Sequence, residues 1–436
     1  MAVRVVSAPY VLLGMSARPS TTGGRADHEG VEPPYAQGER NVDSARGSRV
    51  PDIVFDGAIA LDGDHVVAVG PRAEIEARFG RGEALDAVLL PALVNAHTHL
   101  ELSHLHRRIG GGEGLVPWIQ LLVAARAAED PHAGAALDEA IFRLDEAGVA
   151  AVGEVTNTLA ALPKLGRAGV AGTLFHEVFG FSGARIEAAL AAAAELRARA
   201  GPTPPGLAIA PSPHAVYSTN PRVLAQLLRA GPASIHLAED PAERLFCSRV
   251  SGPFAGLVRA LGATDLRPLG RSPVAVAAPH LGPRSLAVHA VDLDVEDVAD
   301  LVRSRATVVL CPRSNLHIGG RVADLPRLLA AGVPLAIGTD SLASSPSLSP
   351  LAELAALARA FPAVPPDRLL PLAWNGAAVG APGVGRLAAG TAPGVVAAAL
   401  AGARPADPAA WLLGSFGAEE RPLTWIARHR PEAPTA

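Results

Sequence analysis

The sequence predicts an α/β fold: a (β/α)8 barrel of the TIM type, with a small β-sandwich domain built from both chain ends. Three observations predict it. From about Leu89, short apolar runs alternate with longer Ala- and Leu-rich amphipathic stretches, the texture of parallel βα units. Eight such runs precede the point, near Val384, where the alternation stops. The residues that close the runs are histidines, acids and amides, and the active site of such a barrel lies at the C-terminal ends of its strands.

Taken in order, "VRVVSAPYVLLG" reads as one or two strands. The polar, Gly/Pro/Ser-rich stretch that follows offers little to a core, so residues 18–49 are expected to form a long flexible loop. "GAIALDGDHVVAVGP" is two apolar runs around a turn, a hairpin signal. The eight barrel strands are "LLPALVNAH", "GVAAVGEV", "GVAGTLFHEV", "GLAIAPSP", "ASIHLAE", "SLAVHAV", "ATVVLCP" and "VPLAIGTD", with helices such as "RIEAALAAAAELRARA", "PRVLAQLLRA" and "VEDVADLVRS" between them. "VGRLAAGTAPGVVAAALAGARP" returns to short strands. The expected division is therefore 1–88 with 385–436 as the small β domain, and 89–384 as the barrel.

Composition excludes several classes. A net charge of −4 gives no basic surface for nucleic acid or an acidic membrane. Two distant cysteines, Cys247 and Cys311, exclude a disulfide scaffold and a CxxC zinc site. Without a long apolar span or a convincing signal peptide, a cytoplasmic protein is expected.

The chemistry is concentrated in "VNAHTHLELSH". Residues i and i+2 of a strand share a face, so His97 and His99 present two imidazoles side by side at the end of the first barrel strand. One strand-end histidine is ordinarily a hydrogen-bonded polar residue; two behind an uncharged strand suit a metal. Glu154, His176, Glu177, His214, His236, Glu239, His289, Asn315, His317 and Asp340 close or follow the remaining strands.

Five segments, "LLPALVNAHTHLE", "IHLAED", "AVHAVDL", "VVLCPRSNLHIGG" and "LAIGTDSLASSPSLSP", resemble the amidohydrolase superfamily from about Ala58 to Arg386. The resemblance is to its mononuclear deaminase and chlorohydrolase branch. It implies one divalent metal, zinc or alternatively iron, held by His97, His99, His236 and Asp340. It implies Glu239 as proton shuttle and His289 as the group that orients the attacking water, with Asp340 able to accept that water's proton. Three neutral imidazoles and a carboxylate are a donor set that suits zinc. Binuclear relatives bridge two metals with a lysine at the end of strand four. Here that strand is "LAIAPSP" and the only lysine, Lys164, precedes strand three, so a single metal is expected. The chain departs from the family pattern at "PAL", where "PGL" is usual, and at Ala392-Pro393-Gly394 in the closing strand.

"HTHLE", "HEVFGF" and "IHLAEDPAE" are most similar to aminodeoxyfutalosine deaminases, which replace the 6-amino group of an adenine-type nucleoside by a 6-oxo group and act in menaquinone biosynthesis. That similarity implies a purine-type substrate carrying a benzoate. Glu101, His214 and Arg107 are the candidate substrate contacts, with Arg108 as the other arginine at that position. The alternatives on the same site are guanine, methylthioadenosine or S-adenosylhomocysteine deamination, triazine dechlorination and cyclic-amide hydrolysis. A non-catalytic binding protein is a further alternative, opposed by the complete set of ligands. Family members are commonly dimers, so a homodimer is compatible with the resemblance.

Overall fold

The computed structural model describes residues 3–15, 52–127 and 129–430. The segment 18–49 lies outside the described residues. The N-terminal strands are β1 (Arg4–Leu12), β2 (Ile53–Asp62), β3 (His65–Pro71), β4 (Glu83–Ala84) and β5 (Ala87–Pro91). Eight strands follow: β6 (Leu93–Thr98), β7 (Val149–Thr156), β8 (Ala171–Val178), β9 (Leu207–Pro213), β10 (Ala233–Leu237), β11 (Ser285–His289), β12 (Thr307–Leu310) and β13 (Leu335–Ile337). The chain closes with β14 (Pro393–Ala399) and β15 (Thr424–His429).

The terminal strands form one seven-stranded sheet in the order β15-β14-β5-β1-β2-β3, with β4 beside β1. The expected β2–β3 hairpin is present and antiparallel. Its apolar cluster draws Val6, Ile59, Leu89, Val395 and Ala427 from strands of both chain ends. One boundary differs from expectation. "AVLLP" pairs with β1 and β14 as β5, and only "LVNAHT" enters the parallel array as β6. Ala92 separates the two strands and donates its N–H to the Gly394 carbonyl at 3.1 Å.

The eight central strands form two parallel four-stranded sheets, β6-β7-β8-β9 and β10-β11-β12-β13. Their residues are almost all buried, which is why they read as continuous apolar runs rather than alternating ones. Two seams connect the sheets. At one, Thr339 and Asp340 donate backbone N–H groups to the His97 carbonyl at 2.9 and 3.0 Å. At the other, His236 donates to the His214 carbonyl at 2.9 Å. Asn95 reinforces the first seam, donating to Thr339 Oγ1 at 2.7 Å and accepting from Thr339 N at 3.1 Å. A Cβ on Gly338 would lie 2.7 Å from His97 Cβ, so that approach requires glycine.

Helices follow the strands in the way the periodicity predicts. Pro221–Ala230 buries Leu224, Leu227 and Leu228 on one face and is capped by Asn220, which accepts from Arg222 N at 3.1 Å. Val295–Ser304 begins with a capping box between Asp294 and Asp297. Both cysteines are buried and free. Among the described residues no helix is long and apolar enough to cross a membrane.

Candidate active site

The C-terminal ends of β6, β10, β11 and the residues after β13 converge. His97 Nε2 and His99 Nε2 lie 3.7 and 3.6 Å from Asp340 Oδ1, and His99 Nε2 lies 3.2 Å from His236 Nε2. The sequence separates these residues by up to 243 positions (340 − 97), and the two seams bring them together. Asp340, Ala238, His289 and Ala290 all adopt positive φ, at 57°, 55°, 78° and 50°. Such a conformation is costly for residues with a side chain and is found where a site demands a particular direction.

Second contacts fix which atoms face the centre. His236 Nδ1 donates to the His214 carbonyl at 3.1 Å, leaving Nε2 as its lone-pair nitrogen. Asp340 Oδ2 accepts from Ser314 and Ser344 hydroxyls at 2.6 and 3.1 Å, leaving Oδ1 toward the imidazoles. His97 is fully buried, and neither of its ring nitrogens has a hydrogen-bond partner among the described residues. Two unpaired buried polar atoms are expensive to keep, and a cation bound by a lone pair accounts for one of them. Burial pushes His99 well below the usual imidazole range, and pushes His236 down to about 4. Both are therefore neutral and able to donate lone pairs. Burial opposes ionisation of Asp340, but the surrounding imidazoles, His97 foremost, pull its carboxyl well below its ordinary range. The donor set thus fits a divalent metal.

His289 and Glu239 flank this cluster. Asn315 donates its amide N–H to His289 Nδ1 at 3.0 Å, so His289 carries its proton on Nε2, 3.4 Å from Glu239 Oε2. Burial, with the charges of Asp340, Glu243 and Asp240, raises the Glu239 carboxyl well above its ordinary value. Glu239 is aimed by the helix Pro241–Arg249, whose capping-box residue Glu243 accepts its backbone N–H at 2.7 Å.

The other expected residues are placed as follows. Glu101 faces the loop after β7: its carboxylate accepts from the Thr156 and Thr158 hydroxyls and from the N–H groups of Asn157 and Thr158 at 3.0 Å each. Asn157 in turn donates to Glu177 Oε2 at 3.1 Å. Glu177 Oε1 lies 4.0 Å from His214 Nε2 and 3.7 Å from His236 Nδ1, forming a second cluster of metal-capable groups. That second cluster would need the His236 nitrogen already committed to a carbonyl. His176 points the other way, to Arg197, as strand alternation requires. Glu154 accepts the Leu100 N–H and holds the turn after His99. Arg107 is exposed at φ 59° with no ion pair among the described residues, Arg108 pairs with Asp130 at 2.7 Å, and His317 donates to the Ile109 carbonyl at 3.1 Å. Ser314, Ser344 and Asn157 were not singled out from the sequence. Hydroxyl and amide partners of a carboxylate leave no spacing pattern to find.

Residues 88–409 match the amidohydrolase family, and residues 57–80 match an imidazolonepropionase-like composite domain of bacteria. The chain is 30% identical over 339 residues to aminodeoxyfutalosine deaminase of Deinococcus radiodurans, covering 73% of this chain and 80% of that one. It is also 30% identical over 374 residues to a 5-methylthioadenosine/S-adenosylhomocysteine deaminase of Nitratidesulfovibrio vulgaris, covering 78% of each. In fold it resembles Helicobacter pylori aminofutalosine deaminase in complex with methylthio-coformycin, with a TM-score of 0.77 at 19% identity over 96% of this chain and 97% of that one. It likewise resembles an adenosine deaminase from Xanthomonas campestris with bound zinc, with a TM-score of 0.72 at 21% identity over 100% and 95%. On the match that spans 88–409, the chain is an enzyme of the amidohydrolase family.

Proposed function

We propose that the chain is a metal-dependent hydrolytic deaminase that converts the 6-amino group of an adenine-type nucleoside to 6-oxo with release of ammonia. We further propose that the two parallel sheets close into a (β/α)8 barrel that begins at β6 rather than at residue 89 and runs to 384, with 1–91 and 385–436 as its accessory β domain. The two seams support the closure, and the shared sheet of terminal strands supports the accessory unit. A single divalent cation, zinc by preference, is assigned to His97, His99, His236 and Asp340; when bound, it would acidify water into a nucleophile near neutral pH.

The observation that carries the reading is the pairing of Glu239 with His289 beside that cluster. Glu239, whose carboxyl burial raises well above its ordinary value, gives its proton to the ring nitrogen adjacent to the reacting carbon. The His289 Nε2–H holds the attacking oxygen in line, its tautomer set by Asn315. Asp340 Oδ1 takes the proton that the attacking oxygen gives up. As the adduct collapses, Glu239, now a carboxylate, passes the remaining hydroxyl proton of the attacking oxygen to the departing amine, which leaves as ammonia while the carbon–oxygen bond becomes a carbonyl; the proton held by Asp340 then returns to Glu239 and restores it. His214, beside Glu177 and the exposed Phe179, is assigned to the base edge or ribose. Glu101 is assigned to hold the loop that carries Asn157. Arg107 is one candidate partner for a substrate carboxylate.

Aminodeoxyfutalosine is the preferred substrate, which would place the enzyme in menaquinone biosynthesis. The "HTHLE" motif and the Deinococcus relative support it. Methylthioadenosine or S-adenosylhomocysteine is the second reading, because a relative of that activity is equally similar. Ammonia release should be measured on aminodeoxyfutalosine, S-adenosylhomocysteine, methylthioadenosine, adenosine, guanine and a chlorotriazine. The reading expects a 6-amino nucleoside to react best; preference for guanine or the triazine would overturn it.

A further inference from the structure

We propose that Arg321 selects an anionic substrate, pairing its guanidinium with a carboxylate carried on the nucleoside's 5′ side. The inference rests on the adenine-nucleoside reading above and assigns a residue that the sequence motifs did not. A recess opens beside Glu239, and Arg321 lines it together with Gly114, Leu115, Val291, Asn315 and Ile318. The helix Pro312–Gly319 supplies Asn315 and Ile318 from one face, at the i, i+3 spacing that puts side chains together. Gly320 ends that helix at φ 65°, its N–H donating to the Leu316 carbonyl at 3.1 Å, and Arg321 is the next residue. A Cβ on Gly319 or Gly320 would meet nothing within 4 Å, so the space beside the arginine is open.

Exposure gives the recess a direction. The Glu239 side chain is 7% exposed and Arg321 is exposed, so the recess runs from the proton shuttle outward to the arginine. A nucleoside whose reacting carbon sits at Glu239 extends its remaining atoms along that line. The far rim is the segment 109–115, pinned to the same helix: Gly112 and Gly114 both donate to the Ile318 carbonyl at 3.1 Å.

The recess is lined by the Asp240 carboxylate as well as by the Arg321 guanidinium. The Asp240 carboxylate is already occupied, accepting from Ala242 N at 2.8 Å and Leu115 N at 3.1 Å. Burial raises the Glu239 carboxyl well above its ordinary value. Arg321 has no ion pair or side-chain hydrogen bond among the described residues, whereas Arg244, Arg271 and Arg313 all have carboxylate partners. An arginine fork matches a carboxylate in a bidentate geometry and is charged at every working pH. Aryl and aliphatic carboxylates share that chemistry, and a neutral 5′-alkylthio group lacks it.

The test compares wild type with Arg321→Met, which keeps the apolar stem, and with Arg321→Lys. Each is assayed for kcat/KM on aminodeoxyfutalosine (aryl carboxylate), S-adenosylhomocysteine (aliphatic carboxylate) and methylthioadenosine (neutral). Loss of one charged hydrogen-bonded contact predicts a fall of about ten- to a hundredfold on the preferred carboxylate substrate, mostly in KM, and partial recovery with Lys. Methylthioadenosine should change less than about twofold. Which carboxylate substrate falls identifies the aryl or aliphatic source. An equal fall on all three nucleosides, or no fall on any, overturns the proposal. So does a selectivity that moves with Arg107→Met and not with Arg321→Met. If wild type releases ammonia from no adenine nucleoside, the deaminase reading itself has failed, before any variant is compared.

Discussion

Replacing Asn315 by Asp is expected to damage turnover more than replacing it by Leu, although Asp is the closer match in shape. Asn315 Nδ2 lies 3.0 Å from His289 Nδ1, and both residues are buried. The amide donates, so Nδ1 accepts and Nε2 bears the hydrogen that faces Glu239 at 3.4 Å. Leucine leaves Nδ1 buried without a donor. That costs about 1–3 kcal/mol and removes the preference for the Nε2–H tautomer. If the loss appears in the transition state, kcat/KM falls about ten- to a hundredfold. Aspartate goes further, because its carboxylate can only accept. It draws the hydrogen to Nδ1, strips it from Nε2, and adds a negative charge to a pocket where Glu239 must stay protonated. A further factor of about ten is expected. The assay is steady-state ammonia release at saturating and limiting nucleoside, with metal content and thermal stability measured on the same preparations. A Leu variant as impaired as the Asp variant, or losses that simply follow metal loss, would refute the tautomer argument.

Glu239→Gln should retain metal and thermal stability while kcat falls on the order of 10²–10⁴-fold; turnover near wild type would remove Glu239 from its role. Gly111→Ala should raise KM, because its Cβ would lie 2.0 Å from the His317 carbonyl oxygen and push the rim off the helix that carries Asn315. Losing the Gly112 and Gly114 bonds to Ile318 would cost about 1–3 kcal/mol, and an unchanged KM and melting temperature would contradict it. Glu353 is fully buried, and burial pushes its carboxyl up to about 8 despite the opposing Arg313 and Ser345 contacts. A carboxyl raised on folding contributes stability that is complete below its unfolded value of 4.5 and is lost as pH rises through about 8. Glu353→Gln should therefore flatten the fall in melting temperature across that window; an unaltered slope would exclude Glu353 as its source.

The parallel strands were legible because strands buried on both sides must be apolar throughout, and helices between them must be amphipathic. The same property hid the break at Ala92. "AVLLPALVNAH" is apolar on both sides of the break, and only Pro91, which has no N–H to give a ladder, hints at it. His97, His99, His236 and Asp340 were readable because each stands at a strand end. Their supports were not. Ser314 and Ser344 are ordinary hydroxyls until the fold sets them against Asp340 Oδ2. The hydrogen-bond partners of the Glu101 carboxylate lie 55 to 57 residues further on, in a loop whose position depends on β6–β7 pairing. The reasons for the glycines around Glu113 were equally hidden: Gly111 permits a close backbone approach, and Gly112 and Gly114 take φ values of 95° and 91°.

The most direct test is anomalous diffraction at the metal edge on crystals of the full chain, paired with elemental analysis of the same protein. The account predicts one ion per chain, about 2.0–2.2 Å from the His97, His99 and His236 imidazoles and Asp340 Oδ1. Two ions, or a single ion seated among Glu177, His214 and His236, would contradict it.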